Sequence, residues 1–264
     1  MNFYTKTLKQ ILKNKIISKD DSVLVIAGGE KDRNVFYNCG FKNVTISNLD
    51  FHGGVTDYKP FLWKREDAEN LSFNDAVFDW VFVHAGLHHC ASPHRGFCEM
   101  LRVSKKGICV FESRDSFLNS VANKLNIAPS YELEPCVLSN GQKGGIRNSH
   151  IPNFVYKWTE NEVKKTVNSY LPEYKHNFYF YYGLLIPTQR LSMSKNVFNR
   201  GLGLLAKYLA PLFVLFFKTQ GNLFAFVVVK DKELQPWLIK ENDKISFNLE
   251  YSNKKYNPKN YIKQ

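Results

Sequence analysis

No stretch of this chain reaches the roughly 20 consecutive apolar residues that a bilayer-spanning helix needs. The longest candidate, Gly201 to Phe217, is 17 residues and is interrupted by Lys207 and Pro211. Met1 to Ser18 is basic and amphipathic, without an apolar core leading to a small-residue cleavage site, so it is expected not to be a secretion signal. Cysteine is scarce: Cys39, Cys90, Cys98, Cys109 and Cys136 are an odd number with no C-x-x-C among them. That argues against a disulfide framework and for reduced thiols in a cytoplasmic protein. The absence of G-x-G-x-x-G counts against a nicotinamide enzyme. No internal repeat is visible.

What is present suits one large domain. The 264 residues are 44% hydrophobic and 23% charged, ordinary for a globular protein able to bury a core. The net charge of +12 is uneven. Residues 1–120 hold 16 Lys/Arg and 14 Asp/Glu, and residues 121–264 hold 20 and 10. A basic second half suits a phosphate-bearing small molecule, a membrane surface or nucleic acid; a solvated lysine-rich surface explains it equally.

Hydrophobic spacing then sets the order of elements. Leu8, Ile11, Leu12 and Ile16 predict a helix within 1–18. Ser22–Ala27 reads as a buried strand stopping at Gly28-Gly29, followed by a helix over 32–39 ended by Gly40 and a strand at 44–46. Phe78–Val83 is another strand. Ser92-Pro93 starts a helix with Phe97, Met100 and Leu101 inside, and 107–112 is a strand. Asp115 is expected to cap a helix burying Leu118, Val121, Ala122 and Leu125. Such alternation predicts an α/β fold with a mostly parallel, doubly wound sheet.

The second half is less regular. Residues 129–156 form a long polar excursion, of the kind that serves as a lid or substrate loop. Thr159 and Glu162 make a capping box for a helix with Val163, Val167, Tyr170 and Leu171 inside. Strands follow at 178–182 and 223–229. Between them, 184–222 is a helical insertion whose apolar part, 201–217, is either buried or a surface-lying helix for a membrane or partner. Residues 242–264 read as a poorly ordered tail.

The chemistry gathers at predicted strand ends, where open parallel sheets bind ligands. Glu66-Asp67-Ala68-Glu69 is an acidic turn before the Phe78-Asp79 strand, and that strand leads into His84-Ala85-Gly86-Leu87-His88-His89. This combination resembles class I S-adenosylmethionine-dependent methyltransferases, most of all over residues 20–115. The resemblance implies a Rossmann-like seven-stranded sheet with an antiparallel last strand, and S-adenosylmethionine as cofactor. It places Gly28, Gly29 and Glu30 near the methionine end. It puts Asp50, with Asn48 secondary, at the ribose, Asp67 and Ala68 at the adenine, and His84 beside the cofactor.

This chain departs from the family pattern at Val25 and Ala27, where an acid and a glycine are usual. The departure leaves open a pseudoenzyme that acts as an interaction protein. His88 or His89 is the candidate base for an acceptor hydroxyl, histidine being the side chain that takes a proton near neutral pH. His94 and Cys90 lie nearby, but the spacing of these histidines and the cysteine fits no closed zinc pattern, so no metal is expected. Arg147, Asn148, His150 and Tyr156, with Lys143, are the candidate acceptor-binding residues.

The acceptor expected is a sugar or phosphate-bearing precursor in surface-polysaccharide assembly, or alternatively a natural-product hydroxyl. RNA is a further alternative, disfavoured because no stacking signature or RNA-binding module is seen. An Asn-Pro-Pro-Tyr-type motif of base N-methyltransferases is also missing after the fourth strand.

Overall fold

The computed structural model describes residues 2–50, 58–125, 128–186, 197–242 and 244–254. Helix α1 (Phe3–Lys13) precedes β1 (Ser22–Ile26), α2 (Glu30–Cys39), β2 (Asn43–Asn48), β3 (Leu62–Arg65) and β4 (Phe78–His84). Then come α3 (Pro93–Val103), β5 (Ser104–Arg114), α4 (Phe117–Lys124), α5 (Glu134–Leu138), β6 (Lys157–Trp158), α6 (Glu160–Tyr170) and β7 (Tyr174–Gly183). The chain continues through α7 (Val197–Phe216), β8 (Leu223–Leu234), β9 (Leu238–Glu241), β10 (Lys244–Phe247) and α8 (Leu249–Asn253).

The main sheet runs β3-β2-β1-β4-β5-β8-β7, with the two-residue β6 on β5. Neighbours from β3 to β5 are parallel, and β8 is antiparallel to both β5 and β7. This is the mixed α/β sheet with an antiparallel last strand that the sequence predicts.

Side-chain alternation explains the two layers. Successive strand residues face opposite sides. Val23, Val25, Trp80, Phe82 and Cys109 join one core with Leu8 and Ile11 of α1 and Phe36 of α2. Leu24, Ile26, Val81, Val83 and Val110 join the other with Phe97 and Leu101 of α3 and Val163 of α6. Strands covered on both faces read as continuous apolar runs. Asp79 is a strand anchor, as its place at the start of β4 suggests: its Oδ2 accepts bonds from Ser22 N and Oγ, both at 2.9 Å.

Several elements differ from the sequence reading. The helix at 117–124 is capped by Ser116, whose hydroxyl accepts from Asn119 N at 3.2 Å; Asp115 instead bonds its amide to the Trp158 carbonyl. A short serine hydroxyl matches N-cap geometry well. Leu125 is not part of a buried face but 38% exposed. Residues 244–254, within the predicted tail, form β10 and α8, because β10 finds an antiparallel partner in β9. The insertion holds α7, in which Leu205, Tyr208, Leu209, Leu212, Leu215 and Phe216 are exposed while Phe213 and Val214 are half-buried.

Phe226, fully buried at the centre of β8 opposite Val110 and Phe180, is a test of the sheet. Phe226→Ala should lower unfolding free energy by about 3–5 kcal/mol, the range for deleting a buried aromatic ring, as a shift in denaturant midpoint.

Candidate functional site

Strand order reverses at β1, with β2 on one side and β4 on the other. The exits of these two central strands are in contact. A Cβ on Gly86 would lie 2.6 Å from the Ala27 Cβ and 2.9 Å from Val83 Cγ2, so only glycine fits there. Gly28 packs almost as closely, a Cβ there meeting Ile46 Cγ2 at 2.9 Å. Above this floor lies a cleft of about 260 Å³ between the ends of β1 to β4, at the switch point where such sheets bind ligands. Asn48, Asp67, Ala68, Ala85, His89 and Arg147 are among its walls.

The sequence-predicted residues separate into those that meet here and those that do not. Asn48 lines the cleft but spends its amide locally, donating to Gly28 O at 3.2 Å and accepting from Leu49 N at 2.8 Å. Asp67 accepts from Glu69 N at 2.9 Å, leaving its second oxygen toward Arg147. Gly28 and Gly29 form the β1-to-α2 turn beneath, and the Gly29 amide donates to Asp32. Glu30 opens α2 and faces a different, open groove with Asn2 and Thr5.

His84 is not at the cleft wall. Its ring stacks on Tyr4 at 4.3 Å, with Lys31 Nζ 3.4 Å away, and burial and that cation lower its pKa to about 4. The cause is helix α1, which covers this strand end. Tyr156 likewise turns inward, its hydroxyl bonded to Glu162 and its ring edge-on to Trp158. His150 is exposed on the surface and does not line the cleft.

The 129–156 excursion does fold over the strand ends, but Arg147 points at acids rather than outward to an anionic group. Its Nη2 lies 3.1 Å from Asp67 Oδ2 and its Nε 3.3 Å from Glu69 Oε2. Asn148 Nδ2 donates to Asp50 Oδ2. Two carboxylates at the cleft rim attract the guanidinium, whose planar fork suits them. The loop therefore holds the very acids expected at adenine and ribose.

Against the loop that leaves β4, β5 contributes Glu112. Its side chain is fully buried; Oε1 accepts from Gly86 N at 2.9 Å and Leu87 N at 2.8 Å, and Oε2 lies 2.7 Å from His88 Nδ1. His88 Nε2 and His89 Nε2 are each 3.3 Å from Glu132 Oε2. Burial opposes charge on His88, but Glu112 and Glu132 outweigh it and raise its pKa to about 10. His88 is thus an imidazolium at neutral pH. His89 moves the other way, lowered by burial and by the neighbouring His88 charge, and stays neutral. Burial and nearby acids push the Cys90 thiol up to about 12, so it is not a thiolate. His88, His89 and Glu132 bring three ligand atoms within 4.8 Å of one another, a spacing that also suits a metal ion. The proton on His88 between two carboxylates meets the same electrostatic need.

Sequence reasoning missed Glu112 and Glu132, and met Glu69 only as part of the acidic turn. Glu112 had a signal: it is the acid ending an apolar strand. Glu132 had none, since only folding of the excursion brings it to the histidines.

Residues 46–111 match a family model described as a methyltransferase domain. The match supports a methyltransferase enzyme with S-adenosylmethionine as its cofactor. Among solved structures, the YcgJ protein of Bacillus subtilis is 11% identical, with 86% of this chain and 98% of that one aligned and a TM-score of 0.53. The Haloferax volcanii protein bound to the Trm112 methyltransferase activator is 13% identical over 87% and 94%, with a TM-score of 0.51. Likeness at this level is a likeness of fold. A search of curated proteins gives no match.

The cleft residues suit that cofactor in part: there is a glycine-and-alanine floor, and Asp67 after β3 can accept from an amine, whereas Asp50 after β2 is not among the lining residues. Arg147 lines the cleft and bonds Asp67 within it, so a ligand that takes Asp67 Oδ2 displaces the guanidinium. Arg147→Ala should speed cofactor association and tighten binding up to about fivefold, as half-exposed ion pairs are worth about 0–1 kcal/mol. Stopped-flow fluorescence and calorimetry would show it, and weaker binding would refute the competition.

Charge on His88 also has a pH signature. Its folded pKa lies above the ordinary 6.5, so the stability it contributes is fully present below about 6.5 and lost as pH rises through about 10. The difference in unfolding midpoint between the native chain and His88→Gln should shrink across that window.

Proposed function

We propose that this chain transfers a methyl group from S-adenosylmethionine to a hydroxyl of a small anionic or sugar-like acceptor, with His89 as the proton acceptor. The observation that carries the reading is the unequal pair: His88 fixed as a cation between Glu112 and Glu132, and His89 neutral in the cleft wall beside Asp67 and Ala68. Two titratable neighbours pushed apart in this way divide the roles. S-adenosylmethionine supplies a methyl group on a sulfonium that leaves as a neutral thioether. With the cofactor bound, an acceptor hydroxyl that took the methyl group would give its proton to His89 Nε2, the C–S electron pair going to the departing thioether. Glu132, 3.3 Å from that nitrogen, stabilises the imidazolium that forms. His88 and Glu112 hold the loop in position.

The acceptor class rests on charge. Residues 121–264 hold 20 basic and 10 acidic residues, which favours a phosphate-bearing sugar or nucleotide sugar, as used in surface-polysaccharide assembly. Incubation with labelled S-adenosylmethionine and a panel of phosphorylated sugars, nucleotide sugars and glycans should give one methylated product by mass. His89→Ala should lower kcat about 100-fold or more while cofactor affinity is unchanged. Near-normal turnover by that variant would remove the histidine base and make an already ionised oxygen the better acceptor.

A further inference from the structure

No helix among the described residues is long and apolar enough to cross a membrane. Yet α7 exposes Leu205, Tyr208, Leu209, Leu212, Leu215 and Phe216, each more than half accessible, and Phe217 follows at its end. Their spacing of three and four residues places them along one helical stripe. A contiguous apolar face of this kind on a globular protein marks an interaction surface.

Charge indicates what covers it. From Tyr174 to Lys230 the sequence contains no Asp or Glu, while Arg200, Lys207 and Lys218 lie in or beside α7. Lysine and arginine can lay their stems along apolar surface and keep their charges at headgroup level, and tyrosine suits the same depth. A protein partner would be expected to meet apolar residues with its own surface of either charge. A run of 57 residues without an acid complements an anionic bilayer in particular.

The helix is also tied to the edge of the sheet that bears the cleft. It runs through the 3-10 turn Lys218–Gln220 into β8, whose Leu223 pairs with Ser113 and whose Phe224 pairs with Glu112, the carboxylate that holds His88. Gln220 Oε1 accepts the amide of Phe117, an exposed aromatic at the start of α4.

We propose that α7 lies in the surface of an anionic membrane, as an interfacial amphipathic helix, and so holds the carboxyl edge of the sheet near the headgroups. Given the methyl transfer proposed above, the acceptor is then one carried on, or collected at, a lipid surface.

The test is flotation of the whole chain with vesicles of phosphatidylcholine alone or with 30 mol% (about a third) phosphatidylglycerol, an ordinary anionic composition. The chain should float with the anionic vesicles, in part resisting high salt, because apolar burial is not screened. Leu209→Glu with Leu212→Glu should cut partitioning at least about tenfold, and Lys207→Glu by about fivefold at low salt. Cofactor binding by calorimetry should be unchanged in these variants, which shows them folded and keeps this result separate from the enzymatic reading. Absence of flotation would overturn the proposal. So would concentration-dependent self-association, seen by light scattering and abolished by the same Leu→Glu pair, since a second copy would then be the cover.

Discussion

The Glu112 carboxylate is the constraint on which the rest of the site depends. A fully buried carboxylate is costly unless each oxygen finds donors. Here two backbone amides and one imidazole supply them, and all three belong to the loop leaving β4. The loop between β4 and α3 is therefore pinned to β5, which sets the position of His88 and, one residue on, of His89. Because Glu112 sits in a strand buried on both faces, packing of the whole sheet is what holds the histidines in place.

The excursion over the cleft adds a second electrostatic layer. Arg147 and Asn148 bond the acids that the cofactor's adenosine would be expected to use. Were those acids to take the adenosine, as the resemblance implies, loop release and cofactor entry would be linked, and the apparent affinity would be the intrinsic affinity reduced by the fraction of molecules with the loop open. Glu69 is bound to this arrangement on both sides, since its oxygens also accept from the amides of Ala91 and Ser92 at the start of α3.

Much of the fold was legible because the strands are buried on both faces and appear as short apolar runs between turns. Ser22–Ile26, Phe78–His84 and the core of β5 could be located from that alone. Asp50 and Asp67 were given their places by the family resemblance; β3, the strand that ends just before Asp67, was not read from the sequence, its Leu62–Arg65 being short and mostly polar or exposed. What could not be read was set by long-range packing. His84 looks like a site residue in sequence, but α1 folds back more than seventy positions to cover it with Tyr4. Arg147 looks like an anion-binding group until Asp67 and Glu69 are placed beside it. His88 is raised chiefly by Glu112, which holds it, and His89 is lowered by burial and by the His88 charge; Glu132, which favours charge on both, is brought in by a fold of the excursion that no local pattern encodes.

The contact between Gly86 and Ala27 has a consequence for how such a protein can diversify. Two strand exits already touching leave no slack beneath the cleft: neither can accept a larger residue without separating β1 from β4, the centre of the sheet. The walls differ, being made of loop residues whose side chains are partly exposed. Change of acceptor should therefore accumulate in the span from 129 to 156, over a floor that stays the same.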